Sequence, residues 1–316
     1  MKRILTLCVA ITMAAMNAHA QSVDQTQGVG GLVLDSLYSI NKNGQRNTKY
    51  VFEYNEARLP QIRWEWIYLG EDGSHQDEPR LSGYAKYYYD DQNRQQKYET
   101  YTESNGSFYV NHIEEIAEYD EATCLPKVIY AYQGSVDDPE AEPELAQKAV
   151  VTKYHGNIGI EEMEVYVFVR GEWMLFGYSY NTYDDEGQLV QETIQVGSSS
   201  IITTYEYDEH GKVTLKVVQE ILEYGGQLYG VSNIEMAFTN EYYDDGNLKT
   251  VAEYDDDTYI ETTYYFWGDG VTTAIRQMQS VMSSVDRYYD MNGRPLNAKP
   301  TREGIYLHNG KKLIIK

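Results

Sequence analysis

The chain has 316 residues, with 49 Asp or Glu against 26 Lys or Arg and a formal net charge of −23. So acidic a body repels phosphate backbones and anionic headgroups, which argues against nucleic acid and membrane surfaces as partners. Cations, basic or envelope proteins and neutral molecules such as glycans remain.

The first element is a leader. Lys2 and Arg3 precede an apolar run from Ile4 to Met16, and Ala18-His19-Ala20 forms a small-x-small cleavage site. Residues 1–20 therefore read as a secretory signal peptide, with a mature start at Gln21 and an exported destination: periplasm, cell surface or extracellular space. The run is short for a membrane span, and no later stretch approaches one, so no transmembrane segment is expected. Cleavage removes Cys8 and leaves Cys124 alone in TCLP, which predicts a plain turn or packed cysteine and no intramolecular disulfide. The next segment, 21–31 (QSVDQTQGVGG), is polar and glycine-rich and reads as a disordered linker.

From residue 32 the pattern is β. Tyrosine numbers 32 of 316 residues, and its ring suits a pleated, half-buried strand surface. Met163, Val165, Val167 and Val169 alternate with Glu164, Tyr166, Phe168 and Arg170, and Ile234, Met236 and Phe238 alternate with Glu235, Ala237 and Thr239. A turn-like unit recurs: YNEARLP at Tyr54, YDDQNRQ at Tyr89, YDEATCL at Tyr119, YDDEGQL at Tyr183, YDEHGKV at Tyr207 and YDMNGRP at Tyr289. Tyr243 opens a form one residue shorter, YDDGNL, and Tyr154 a degraded one, YHGNI. In each, Tyr ends a strand, Asp or Asn accepts hydrogen bonds from turn amides, Gly or Asn permits positive φ, and an apolar residue starts the next strand. A hairpin of this kind cannot bury its apolar face alone, and stacked neighbours can.

The repeats fall into an N-terminal group, 32–136, and a C-terminal group, 148–286. Between them lies an acidic, proline-bearing insertion at 137–147, and the division is compatible with one domain or two. Pro143 to Val151 is the best helix candidate, with Pro at the first helical position. The last segment, 287–316, is basic: from Arg294 on, Glu303 stands alone against six Lys or Arg. Strands at 305–308 and 311–316 flank Asn309-Gly310, a type I′ hairpin signal.

These tyrosine-aspartate turns resemble the YD repeats of bacterial wall-associated and toxin-shell proteins, whose tandem hairpins wrap into a β-sheet shell. The resemblance implies an all-β fold of tandem antiparallel hairpins in an extended, twisted or partly wrapped sheet. The tail is similar to the C-terminal tails of secreted Bacteroidota proteins. Tyr289, Asp290, Gly293 and Arg294 match their first element, Gly304, Ile305 and Tyr306 the second, and Gly310, Lys311 and Lys312 the third. That resemblance implies sorting by the type IX route, and the same residues also suit a basic hairpin closing a sheet edge.

Catalytic signals are weak. The Asp runs lack calcium-loop spacing, the histidines lack zinc-ligand spacing, and no Gly-x-Ser-x-Gly elbow occurs, so neither cofactor nor metal is expected and the chain reads as non-catalytic. The candidate binding surface is aromatic: Trp64, Trp66, Tyr87 and Tyr89, which could stack sugars or fill a core. The chain therefore reads as an exported binding or interaction module. Its rivals are a glycan-binding protein and a glycan-active enzyme, the latter requiring two facing carboxylates.

Overall fold

The structure, a computed structural model, describes residues 26–70, 73–104, 106–135, 137–225 and 227–269, and four short strands between 288 and 315. The leader 1–20, residues 21–25, and Asp290, Gly293, Arg294 and Gly310 lie outside the described residues.

Sixteen strands follow one another: β1 (Val33–Asn41), β2 (Arg46–Tyr54), β3 (Pro60–Leu69), β4 (His75–Tyr89), β5 (Gln95–Ser104), β6 (Ser107–Tyr119), β7 (Pro126–Gln133) and β8 (Glu144–His155). The rest are β9 (Gly159–Val169), β10 (Glu172–Tyr183), β11 (Leu189–Val196), β12 (Ser199–Tyr207), β13 (Val213–Tyr224), β14 (Gln227–Tyr242), β15 (Leu248–Asp255) and β16 (Thr258–Gly268). Each pairs antiparallel with its chain neighbours, and β1 pairs with β16, Ser39 opposite Thr263, so the meander is a closed barrel. Closure removes both free edges, the exposed ladder groups that an open sheet presents for aggregation. The all-β meander of the sequence is thus a sixteen-stranded barrel. A separate four-stranded sheet holds β17 (Tyr288–Tyr289), β18 (Pro295–Leu296), β19 (Gly304–His308) and β20 (Lys311–Ile315), with His308 opposite Lys311.

The recurrent unit builds one rim, the near rim. Asp90 Oδ1 accepts from the amides of Gln92 and Arg94, Asp184 Oδ1 from Glu186 and Gln188, and Asp208 Oδ1 from His210 and Lys212. Positive φ falls at the expected position at Asn93, Gly187 and Gly211, and at Arg58 where no glycine is present; the Tyr119 turn is one residue longer and takes its positive φ one position later, at Cys124. The motif tyrosines have a further task. Each even-numbered strand from β2 to β14 breaks register immediately before its terminal Tyr. Such a bulge bends the strand and re-aims the side chain.

The re-aimed hydroxyl then clasps the first residues of the preceding strand: Tyr54 to Leu34 O, Tyr89 to Pro60 O, Tyr119 to Gln95 O, Tyr154 to Pro126 O, Tyr183 to Ile160 O and Tyr207 to Leu189 O. In the last two pairs Asn240 Nδ2 donates to Val213 O and Trp267 Nε1 to Leu248 O. Every hairpin that turns at the far rim is therefore clasped at its open end.

Four readings need correction. The segment 143–151 is not helical. It enters β8, where Gln147, Ala149 and Val151 alternate inward, and period two outweighs the Pro143 start signal. The linker 21–31 is structured from Thr26 on: Leu34 N bonds Thr26 O, and Val29 N bonds Asn247 Oδ1 at 2.6 Å. The Tyr243 turn is not shortened. Its amide bonds Asn247 O as Asp208's bonds Lys212 O, so Tyr242 holds the motif's first position and Tyr243 stands where Asp is usual. The acidic insertion ends early, because β8 begins at Glu144, and β7 and β8 pair across it within the one barrel.

Candidate functional site in the barrel lumen

In the closed barrel each strand divides its side chains between an inner and an outer wall, changing parity only at the bulges. The inner wall has two sectors. Along β7 to β11 it is apolar: Ile129, Ala131, Ala149, Val151, Met163, Val165 and Ile194 form one buried cluster, with Val165 and Ala149 at 0% exposure. Val167, Val169 and Met174 continue this stripe toward the far rim, where exposure rises to 42% at Val169 and 56% at Met174.

From β15 around to β6 the inner wall is more polar and rich in tyrosine, whereas β12 to β14 mix Ile201, Val218, Ile234, Met236 and Phe238 with Lys216 and Glu220. Arg63 faces inward between Phe52 and Ala85. Its Cζ lies 5.2 Å from the Tyr50 ring centroid, and its Nη2 donates to Tyr98 Oη at 3.3 Å. Tyr98 stacks obliquely on Tyr87 at 5.0 Å, and burial raises both phenols above their ordinary range, so they remain neutral. Glu114 is 4% exposed and holds His112 Nε2 at 3.1 Å. Further round, Glu253 and Glu261 are direct cross-strand partners. Burial and then the Glu261 charge push the Glu253 carboxyl upward, as expected for like charges facing each other.

The outer wall is different in kind. Lys86, Lys97, Glu99, Lys148 and Glu164 occupy outward positions among tyrosines. Glu99 accepts from Tyr88 and Tyr101 at 2.7 Å each and pairs with Lys97 at 2.6 Å. These bonds outweigh burial and hold its carboxyl low.

The aromatic patch expected from the sequence is not assembled. Trp64 and Trp66 point outward on β3, whereas Tyr87 is buried on the inner wall and Tyr89 is a rim clasp. On the outside Trp64, Tyr84 and Tyr101 make a cross-strand row, with centroids 5.2 and 4.3 Å apart and Tyr84 nearly parallel to Tyr101 at 13°. Their faces cover one another, and Lys86 Nζ caps Tyr101 at 5.1 Å. The row is strand pairing, not an open stacking platform. Sequence reasoning passed over Arg63, Tyr50 and Tyr98. The available signal was an arginine at an inward strand position among apolar neighbours.

No family model matches the chain, and no curated protein matches it. Among solved structures, a porin-like protein from Bacteroides uniformis aligns over 74% of this chain and 98% of its own, at 7% identity and a TM-score of 0.43. A protein of unknown function from Bacteroides fragilis aligns over 60% and 92%, at 14% identity and a TM-score of 0.18. The TcdB2-TccC3-TEV structure aligns over 74% of this chain and 19% of that one, at 9% identity and a TM-score of 0.17.

Proposed function

We propose that the chain is an exported, water-facing barrel that binds ligands in its lumen without catalysing a reaction. The observation that carries this reading is the two-sided inner wall, an apolar stripe on β7–β11 opposite a tyrosine, arginine and acid sector. Amphipathic ligands fit such a channel, with apolar area supplying affinity and a few polar groups fixing orientation. The outer wall favours water over lipid. No helix among the described residues is long and apolar enough to cross a membrane, which leaves the barrel wall itself as the candidate span. On a lipid-facing wall, a Lys near the bilayer midplane costs about 2–4 kcal/mol; Lys148 faces outward near the middle of β8, and Lys86 and Lys97 face outward closer to the near rim.

A neutral apolar dye tests the reading. N-phenyl-1-naphthylamine should brighten on binding the mature protein, and Met174→Asp at the lumenal lip should weaken that response while Phe168→Asp on the outer wall leaves it intact. An unchanged response in Met174→Asp would remove the lumen as the site. Export has its own test. Sequencing the mature protein should find Gln21 at its start, and deleting Tyr289–Lys316 should trap it in the periplasm if the tail acts in sorting; unchanged fractionation would end the sorting role.

A further inference from the structure

We propose that Arg63 is the anchor of a binding site for a small, singly charged carboxylate, just inside the near rim of the lumen. The inference rests on the lumen-binding reading above and names the chemistry of its ligand.

Arg63 lies three residues from the start of β3, beneath the Tyr89 clasp on Pro60. A guanidinium there is withdrawn from water, and such charges are ordinarily matched by a carboxylate. This one makes no ion pair among the described residues. Its Nε is buried without a partner among the described residues, and its Nη2 donates to the neutral Tyr98 hydroxyl. Glu65 shares the inner wall two residues on; its charge acts on the guanidinium without forming an ion pair, and its carboxylate accepts from Ser82 Oγ at 3.4 Å. Two inner-facing acids nearby are by contrast partnered: Glu114 has His112, and Glu261 has Asn47 Nδ2 at 3.2 Å. Arg63 itself is only partly buried, so the lumen reaches it.

The surroundings select the ligand. Tyr50 backs the guanidinium with its ring face, leaving the in-plane donor edge for a planar acceptor, and a carboxylate matches that fork in geometry and charge. Tyr50, which is partly exposed, adds a flat wall and a neutral hydroxyl for the body of the ligand, and the buried Tyr87 and Tyr98 belong to the packed wall beside it. Nearby acids at Glu65, Glu114 and Glu261 repel additional negative charge, so a monoanion gains what a phosphate dianion or polyanion loses.

Calorimetric titration of the full mature chain tests the proposal with glucuronate, N-acetylglycine, glucose and inorganic phosphate. Glucuronate and N-acetylglycine stand for sugar and peptide-terminus sources of the same carboxylate. At least one should bind saturably, and glucose and phosphate about tenfold or more weaker, as loss of a charge-assisted hydrogen bond implies. Arg63→Met should weaken the preferred carboxylate by a similar factor, with Arg63→Lys intermediate. Carboxylates that bind no better than glucose would overturn the proposal, as would a folded Arg63→Met or Arg63→Lys that binds them like wild type. If the apolar dye still binds in the lumen, such a failure strikes the carboxylate site alone. If neither dye nor carboxylate binds, the lumen reading falls with it.

Discussion

The two rims of the barrel are made by different rules. At the near rim, Asp or Asn usually gathers the turn amides, a positive-φ residue closes the turn, and the strand-ending Tyr clasps the neighbouring strand. At the far rim the connections range from the two residues between β9 and β10 to the ten between β7 and β8, and the near-rim turn chemistry recurs at β1–β2, where Asn41 Oδ1 accepts from the amides of Asn43 and Gln45, but without a clasping Tyr. One end of each hairpin must be held by side chains because only the other end is joined covalently. The repeat therefore encodes clasping at the open ends, and the covalently joined ends are free to vary in length and carry exposed apolar groups.

The largest break in this asymmetry is expected from removing several clasps together. Changing Tyr89, Tyr119 and Tyr207 to Phe should destabilise the barrel by about 3 kcal/mol in all, near 1 kcal/mol for each lost hydrogen bond. Denaturant unfolding checks it, and a loss below a third of that figure would show the hydroxyls to be incidental.

Alkaline pH should strike the same rim. Burial raises the phenols of Tyr54, Tyr89, Tyr119 and Tyr154, with Tyr119 and Tyr154 pushed up to about 12. A phenol whose folded value is raised contributes stability that is fully present below its unfolded value, about 10, and is lost as pH rises through the folded one. Unfolding free energy should thus fall steeply between about pH 10 and 12, and the triple Phe variant should show a shallower fall. Equal slopes would place the titration elsewhere.

Asp208 sharpens the comparison within the near rim. Burial alone would raise its carboxyl, but bonds from Tyr242, Lys212 N, Asn240 and His210 N hold it below the ordinary range. It serves its own turn through Oδ1, and through Oδ2 it serves the neighbouring one, where Tyr243 has displaced the usual Asp. Its contribution should be present above about pH 4 and be lost as pH falls through its depressed folded value. Asp208→Ala should cost about 1 kcal/mol at neutral pH, and a loss confined to its own turn would leave hydrogen exchange around 242–247 unchanged.

Smaller still, Glu253→Gln should stabilise the protein by about 0.5 kcal/mol at neutral pH by relieving its opposition to Glu261; thermal melts that move down instead would show that a cation or proton already bridges the pair.

Much of this was open to sequence reading. The Asp turns, the positive-φ positions and the alternation at Met163–Val169 follow from local chemistry, because a turn's hydrogen bonds span two to four residues. The Pro143 segment misled because one N-terminal helix signal was set against three alternating positions that only strand pairing rewards. The Trp64, Trp66, Tyr87 and Tyr89 patch failed for a related reason. Adjacent repeats look alike in composition, and the wall that a given aromatic faces depends on bulges, which shift parity without leaving a fixed sequence mark.

By itself the sequence determined that the chain is a β meander, where most of its near-rim turns fall, and which Asp or Asn holds them, since those interactions close within a few residues. Only the tertiary structure decided that β1 meets β16, that the tyrosine hydroxyls reach carbonyls eighteen to twenty-nine residues away in sequence, and that Arg63 faces the inner wall without an ion pair among the described residues. These depend on accumulated twist, bulge and register around sixteen strands, and no local window of sequence contains that sum.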